Sequence, residues 1–226
     1  MDLAPASSLV TVHCQGVLFD MDGILISSIE SVERSWTKWA VMRGVDPALA
    51  IETAHGRRAI ETAAMLRPDL DCNEELKLIE EIEVADGGGL SVLPGVAELL
   101  AALPAERWTV VTSATERLAR TRLGQAGLPV PARLITADHV AQGKPLPDPY
   151  LAGAALLGVP AAECVVFEDS ESGVKAGHAA GCTVVATTFS HEAEQLAAAH
   201  YLVRDLTGVE VESGADGITL RFRPLV

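Results

Sequence analysis

The sequence predicts an α/β protein: a doubly wound parallel sheet with a small all-helical domain inserted after the first strand. Two observations carry this prediction. Short, unbroken apolar runs recur along most of the chain, and helical patterns fill the gaps between them. Runs without alternation require burial on both faces, which parallel strands acquire when helices cover the sheet on either side. The alternation then fails once, between roughly residues 28 and 86, where no convincing strand pattern occurs and the helical pattern persists.

"MDLAPASSL" reads as a loose N-terminal extension. Strands are expected at "GVLFD" (16–20), "WTVVTS" (108–113), "ARLIT" (132–136), "ECVVFED" (163–169) and "TVVATT" (183–188). Helices are expected at 95–103, 116–127, 149–158 and 172–181, several of them closed by glycine. Within the insertion, Ile29, Val32, Trp36, Trp39 and Ala40 share about one helical face. Leu76, Ile79 and Ile82 recur at helical spacing further on. "DGGG" (86–89) reads as a hinge, and "LPGV" (93–96) restarts the core pattern. The expected division is therefore a discontinuous core of 1–27 and 90–226 with an insertion of 28–89. Two alternating runs around "SGADG" predict a β-hairpin over 208–222 with an edge or packing role.

Bulk properties narrow the function. The formal charge of −14 argues against a diffuse nucleic-acid or anionic-membrane surface, so no nucleic acid or membrane is expected as a partner. An anionic substrate would need local positive charge. The four cysteines, Cys14, Cys72, Cys164 and Cys182, show no metal spacing, and three of them adjoin apolar runs as buried thiols do. No signal peptide or membrane-length apolar run is evident, which predicts a cytoplasmic protein.

Chemistry concentrates at the strand ends, where parallel α/β sheets bind ligands. The first strand delivers Asp20 and Asp22, the second Ser113, and "ECVVFED" delivers Glu168 and Asp169. "GKPLPDP" places Lys144 in a rigid loop nearby. Four acids on one edge need a counter-charge. Oxygen-only ligands suit Mg²⁺, and with Lys144 it would screen the repulsion that stops a carboxylate from attacking a phosphoryl group. A lone DxD after a strand is weak support, since acids are common in turns. The four elements together, in this order, are specific.

At these residues the chain resembles the haloacid dehalogenase superfamily of phosphohydrolases. The matching motifs are DxDG at 20–23, hydrophobic-Thr-Ser at 110–113, GKPxPxP at 143–149 and "VVFEDSESGVKAGHAAG" at 165–181. The resemblance implies a Rossmann-like core with the insertion as a cap. It implies that Asp20 is the nucleophile and forms an aspartyl-phosphate. Asp22 would protonate the leaving alcohol and then activate water. Ser113, the adjoining Ala114 and Lys144 would hold the phosphoryl oxygens. Asp20, the backbone carbonyl of Asp22, and Asp169 would bind Mg²⁺, with Glu168 directly or through water. The family usually has Thr after DxDG, where this chain has Ile24.

An acid at Asp22 favours phosphate-ester hydrolysis over halide release, which needs none. The mutase relatives carry a histidine twelve residues after the nucleophile, where this chain has Val32. A sugar phosphomutase and a catalytically silent binding protein on the same fold remain the alternatives. In the cap, "TAHGRRAIET" (53–62) resembles the loop of the family's glycerol-phosphate and 2-deoxyglucose-6-phosphate phosphatases. That resemblance implies that His55, Gly56 and Arg58 bind substrate, and so predicts a phosphatase of small sugar or polyol phosphates; a monomer is expected.

Overall fold

The computed structural model describes residues 8–54, 57–86 and 88–225. In chain order its elements are β1 (Val10–Cys14), β2 (Gly16–Phe19), β3 (Ile26–Ser27), α1 (Ile29–Arg43), α2 (Pro47–Ala54), α3 (Ala59–Leu66), α4 (Cys72–Ala85), β4 (Ser91–Val92) and α5 (Val96–Ala102). There follow β5 (Trp108–Val110), α6 (Glu116–Gln125), α7 (Asp148–Leu157), β6 (Cys164–Glu168), α8 (Glu171–Ala179), β7 (Thr183–Thr187), β8 (Tyr201–Val203), β9 (Glu210–Gly214) and β10 (Gly217–Phe222).

The central sheet has the order β5-β2-β6-β7-β8, and every pairing in it is parallel. Successive side chains of a strand point to opposite faces, and here both faces are buried. Val17, Phe19, Val165, Phe167 and Val185 pack on one side with Leu99 and Leu100 of α5 and Ala119 and Leu123 of α6. Leu18, Val166 and Val184 pack on the other with Tyr150 and Ala154 of α7 and Val174 of α8. This two-sided burial, at about 1.5–3 kcal/mol per large side chain, is why these segments read as unbroken apolar runs.

Two expectations need correction. Residues 132–136 form no strand: only Ile135 bridges, in parallel, to Val111, while Thr136 accepts a hydrogen bond from the Asp138 amide and starts a short 3₁₀ turn. The chain bends at Ala132 and Arg133, which leaves no extended run for a ladder. The fifth strand is instead β8 at the opposite edge, whose three residues are too few to show a pattern. The predicted hairpin, β9–β10, does form, and it pairs antiparallel with β1 in a separate three-stranded sheet. Its Ile218, Leu220 and Phe222 cover one end of the core.

Helices α1–α4 hold an apolar cluster of their own, with Trp36, Trp39, Ala40, Ala50, Ala54, Ala63, Ile79 and Ile82 buried. Val32 packs against that cluster and, with Ile29, lines a chamber between these helices and the sheet. The two connections to the helices run side by side as β3 and β4, paired antiparallel. Arg34 pins the second of them through Asp86 and the Gly88 carbonyl. Ile24 is buried in the main core, so its β-branched side chain contributes packing where a hydroxyl would have needed a partner.

Candidate active site

The C-terminal ends of β2 and β6 lie side by side, tied by the Asp20 amide donating to the Phe167 carbonyl at 3.0 Å. They deliver Asp20, Glu168 and Asp169, whose carboxylate oxygens lie within 4.8 Å of one another. Lys144 reaches them from the loop before α7. Its Nζ lies 3.0 Å from Asp20 Oδ1 and 2.6 Å from Glu168 Oε1. The side chain is only 2% exposed, and its ammonium lies over the Tyr150 ring.

Glu168 is the organiser of the cluster. Its Oε1 accepts from Lys144 and from the Tyr150 hydroxyl at 2.8 Å. Its Oε2 accepts from the Asp169 amide, the Ser170 amide and the Ser170 hydroxyl at 2.9–3.0 Å. Burial opposes ionisation of Glu168, yet Lys144 and these donors hold its carboxyl below the usual range. The glycines of motif four make this possible. A Cβ on Gly173 would fall 1.6 Å from Glu168 Oε1, so the first turn of α8 can close over the carboxylate only without a side chain there. At Gly23, where φ is +81°, a Cβ would fall 1.8 Å from Asp169 Oδ2. Asp169 also accepts from the Ser190 hydroxyl.

Three buried carboxylates against one ammonium leave the cluster short of positive charge. Burial and the neighbouring Glu168 push Asp20 up to about 7 despite Lys144, and burial with Glu168 and Asp20 raises Asp169 well above its ordinary value. The donors are all oxygens, and Gly23 keeps the approach to Asp169 open. This set fits a hard divalent cation.

Above the cluster lies a chamber of about 450 Å³, of the size that holds a small organic ligand. Its floor carries Asp20, Asp22, Ser113, Ala114, Lys144 and Asp169. Its roof carries Ile29, Val32, Trp36, Arg57, Arg58, Leu76, Glu80 and Glu83 from the helical insertion. A model of haloacid dehalogenase-like hydrolases matches residues 14–181.

The chain belongs to this family.

Its relatives agree. Over 214 residues it is 37% identical to hexitol phosphatase A of Escherichia coli, covering 91% of this chain and 98% of the relative. It is 38% identical to glycerol-1-phosphate phosphohydrolase 2 of Saccharomyces cerevisiae, covering 80% and 78%, and 34% identical to 2-deoxyglucose-6-phosphate phosphatase 1 of the same yeast, covering 90% and 93%. Among solved structures, CbbY from Rhodobacter sphaeroides in complex with phosphate superposes with a TM-score of 0.74 at 25% identity, covering 86% and 96%. Like its named phosphatase relatives, this haloacid dehalogenase-like hydrolase is a phosphoric monoester hydrolase.

In this hydrolase the core residues singled out in the sequence converge on one chamber, with Glu168 buried beneath its floor. The arrangement of the rest was not foreseeable. The Asp22 side chain stands apart from the acidic cluster, with both oxygens 3.0 Å from Arg122 Nη1. Arg122 Nη2 lies 3.3 Å from Glu83 Oε1 on α4. Arg58 lines the chamber, but its guanidinium is engaged by Glu61 and by the carbonyls of Val140 and Ala141, at 3.4 and 3.3 Å. Arg57 has no acidic partner among the described residues; its Nη1 lies 3.7 Å from the Met65 sulfur. His55 and Gly56 lie outside the described residues. Nothing in the sequence pointed to Arg122, Glu83, Tyr150 or Ser190, because each reaches the site from an element whose own pattern is ordinary.

The cysteine expectation fits the packing. Cys14, Cys164 and Cys182 are buried, and burial pushes their thiols up to about 11, 12 and 11, away from nucleophilic reactivity. Among the described residues no helix is long and apolar enough to cross a membrane.

Proposed function

We propose that this hydrolase is a Mg²⁺-dependent phosphatase of small sugar or polyol phosphates that works through an aspartyl-phosphate on Asp20. The observation that carries the reading is the pairing of Asp20 with Lys144 beneath a roofed chamber that Asp22 also faces. Asp20, Asp169 and the Asp22 carbonyl would hold Mg²⁺, with Glu168 ordering the set from beneath. When bound, the ion would neutralise the buried acids and polarise the phosphoryl oxygens.

Asp20 Oδ attacks phosphorus, and the bond to the ester oxygen breaks. Asp22 donates a proton to that oxygen as it leaves. Asp22 then takes a proton from water, which attacks the acyl-phosphate, releases phosphate and restores Asp20. Lys144 and Ser113, with the adjoining Ala114 backbone, hold the phosphoryl oxygens. Residues 28–89 act as the cap, swinging on β3–β4 to admit substrate and exclude water.

The relatives named for hexitol, glycerol and deoxyglucose phosphates support a polyol or sugar leaving group. Within the cap loop, the engagement of Arg58 with the 140–141 carbonyls suits docking the cap onto the loop that carries Lys144. The uncommitted Arg57 is then the cation over the substrate, with His55 and Gly56 beside it in the chain. Val32 lines the chamber at the mutase histidine position and can move no proton, which favours hydrolysis over phosphoryl transfer between sugar hydroxyls.

Phosphate release from a panel of polyol and sugar phosphates, with and without Mg²⁺, tests the reading. Asp20→Asn should abolish release. Mg²⁺-dependent turnover by that variant near the wild-type rate would refute the nucleophile assignment.

A further inference from the structure

Arg122 is a buried cation that the proposed reaction does not use. It sits inside α6 with 5% of its side chain exposed, between a core acid and a cap acid. Nη1 lies 3.0 Å from both oxygens of Asp22, and Nη2 lies 3.3 Å from Glu83 Oε1. Its Nε is buried without a partner among the described residues. Desolvating a guanidinium is costly, and an aliphatic side chain could fill the same space without that cost. What the guanidinium does, and an aliphatic side chain could not, is fix the direction of Asp22. The Asp22 carboxylate is about a third exposed and has no other side-chain partner among the described residues.

The seat is made of two bodies. Glu83 lies on α4 of the insertion, three residues after Glu80, which accepts from Arg117 Nη1 at 2.8 Å and from the Thr115 hydroxyl, both at the start of α6. Docking of α4 on α6 therefore brings Glu83 to Arg122. Lifting α4 would leave Arg122 anchored from one side only.

We infer that Arg122 is a positioning residue that aims Asp22 at the leaving oxygen, and that Glu83 completes its seat only when the helical insertion is docked. This rests on the proposed role of Asp22 as proton donor. It makes proton delivery conditional on a closed chamber, since the same helix that roofs the substrate also steadies the guanidinium behind the acid.

The test uses two esters that differ in their need for a proton: glycerol-1-phosphate, whose alkoxide leaves poorly, and p-nitrophenyl phosphate, whose nitrophenolate leaves unprotonated. In Arg122→Met, the single-turnover release of glycerol should fall about 100-fold, the range of a misplaced general acid. The nitrophenolate burst should change less than about threefold, and KM for both esters should hold within a similar factor, because ground-state binding does not involve the proton. Arg122→Lys, which keeps the charge and loses the fork, should recover part of the glycerol rate. Glu83→Gln should show the same contrast at about tenfold or less. The lysine and glutamine variants carry the test if Arg122→Met does not fold. Equal losses on both esters, or no loss on glycerol-1-phosphate, would overturn the inference. A wild type inactive on both esters would instead overturn the polyol-phosphatase reading on which it rests, and an active Asp20→Asn would overturn the nucleophile assignment.

Discussion

Replacing Lys144 by Met should leave a folded protein whose stability depends steeply on pH. Among the described residues Lys144 is the one cation paired with Asp20 and Glu168, at 3.0 and 2.6 Å, with 2% of its side chain exposed. Methionine fills the stem's volume and removes the charge, leaving two buried carboxylates with no counter-ion. Breaking a buried pair from one side costs about 3–5 kcal/mol. For a chain of this length about 2–4 °C accompanies each kcal/mol, so the melting temperature at pH 8 should drop by about 10 °C. The pH dependence has a definite sign. In the wild type, Lys144 holds Glu168 below its ordinary value against the effect of burial. Without it, burial raises Glu168 in the folded state, so the folded state keeps a proton that the unfolded chain has released. Stability is then lost as pH rises through that interval and regained as pH falls. Melts of the metal-free variant and wild type between pH 5 and 8 would measure this, with the deficit shrinking toward pH 5. A variant as stable as wild type at pH 8, or a deficit that grows on acidification, would refute the charge balance drawn for the site.

Two further outcomes follow from the same geometry. Gly23→Ala would drive a Cβ to 1.8 Å from Asp169 Oδ2 at a φ of +81°, displacing the carboxylate. Activity should fall by at least about tenfold, with a higher Mg²⁺ requirement, and a wild-type Mg²⁺ titration would reject this contact. Because burial raises Asp20 to about 7, Mg²⁺ should displace a proton below neutral pH. Its apparent Kd should weaken about tenfold between pH 8 and pH 6, with protons released into a weakly buffered solution. An apparent Kd that is flat over that range would count against Asp20 as a ligand.

The strands of the core could be read because their burial is two-sided and local: Val17 to Phe19 and Val165 to Phe167 are apolar at every position, and their carboxylates follow directly in the chain. The glycines of "DSESGVKAGHAAG" were visible as a motif, but their reason was not. Gly173 leaves room for Glu168, and Gly177 leaves room for Val184, whose Cγ2 would lie 2.9 Å from an added Cβ. The strand expected at 132–136 failed because the chain bends at 132–133, and β8 was missed because three residues carry no period. The sequence reading put Arg58 on the substrate, but which neighbours each arginine meets was beyond it. Two adjacent arginines in one loop differ only in which neighbours each meets, and those neighbours, Glu61 and the 140–141 carbonyls, include a segment some eighty residues away.

What the sequence by itself determined is the chemistry of the floor: two acids after β2, a hydroxyl after β5, a lysine held by prolines and an acidic pair after β6. These follow from strand ends and turns, which are short-range features. What only the tertiary structure decided is how those groups are held. Glu168 is the hub that five donors turn inward, and Asp22 is aimed by Arg122. In the sequence Arg122 is one of three arginines in "ERLARTRLGQ", with the pattern of a solvated helix face. Its burial depends on the rotation of α6 against α4, a contact between segments 39 residues apart, and no local periodicity encodes a rotation of that kind.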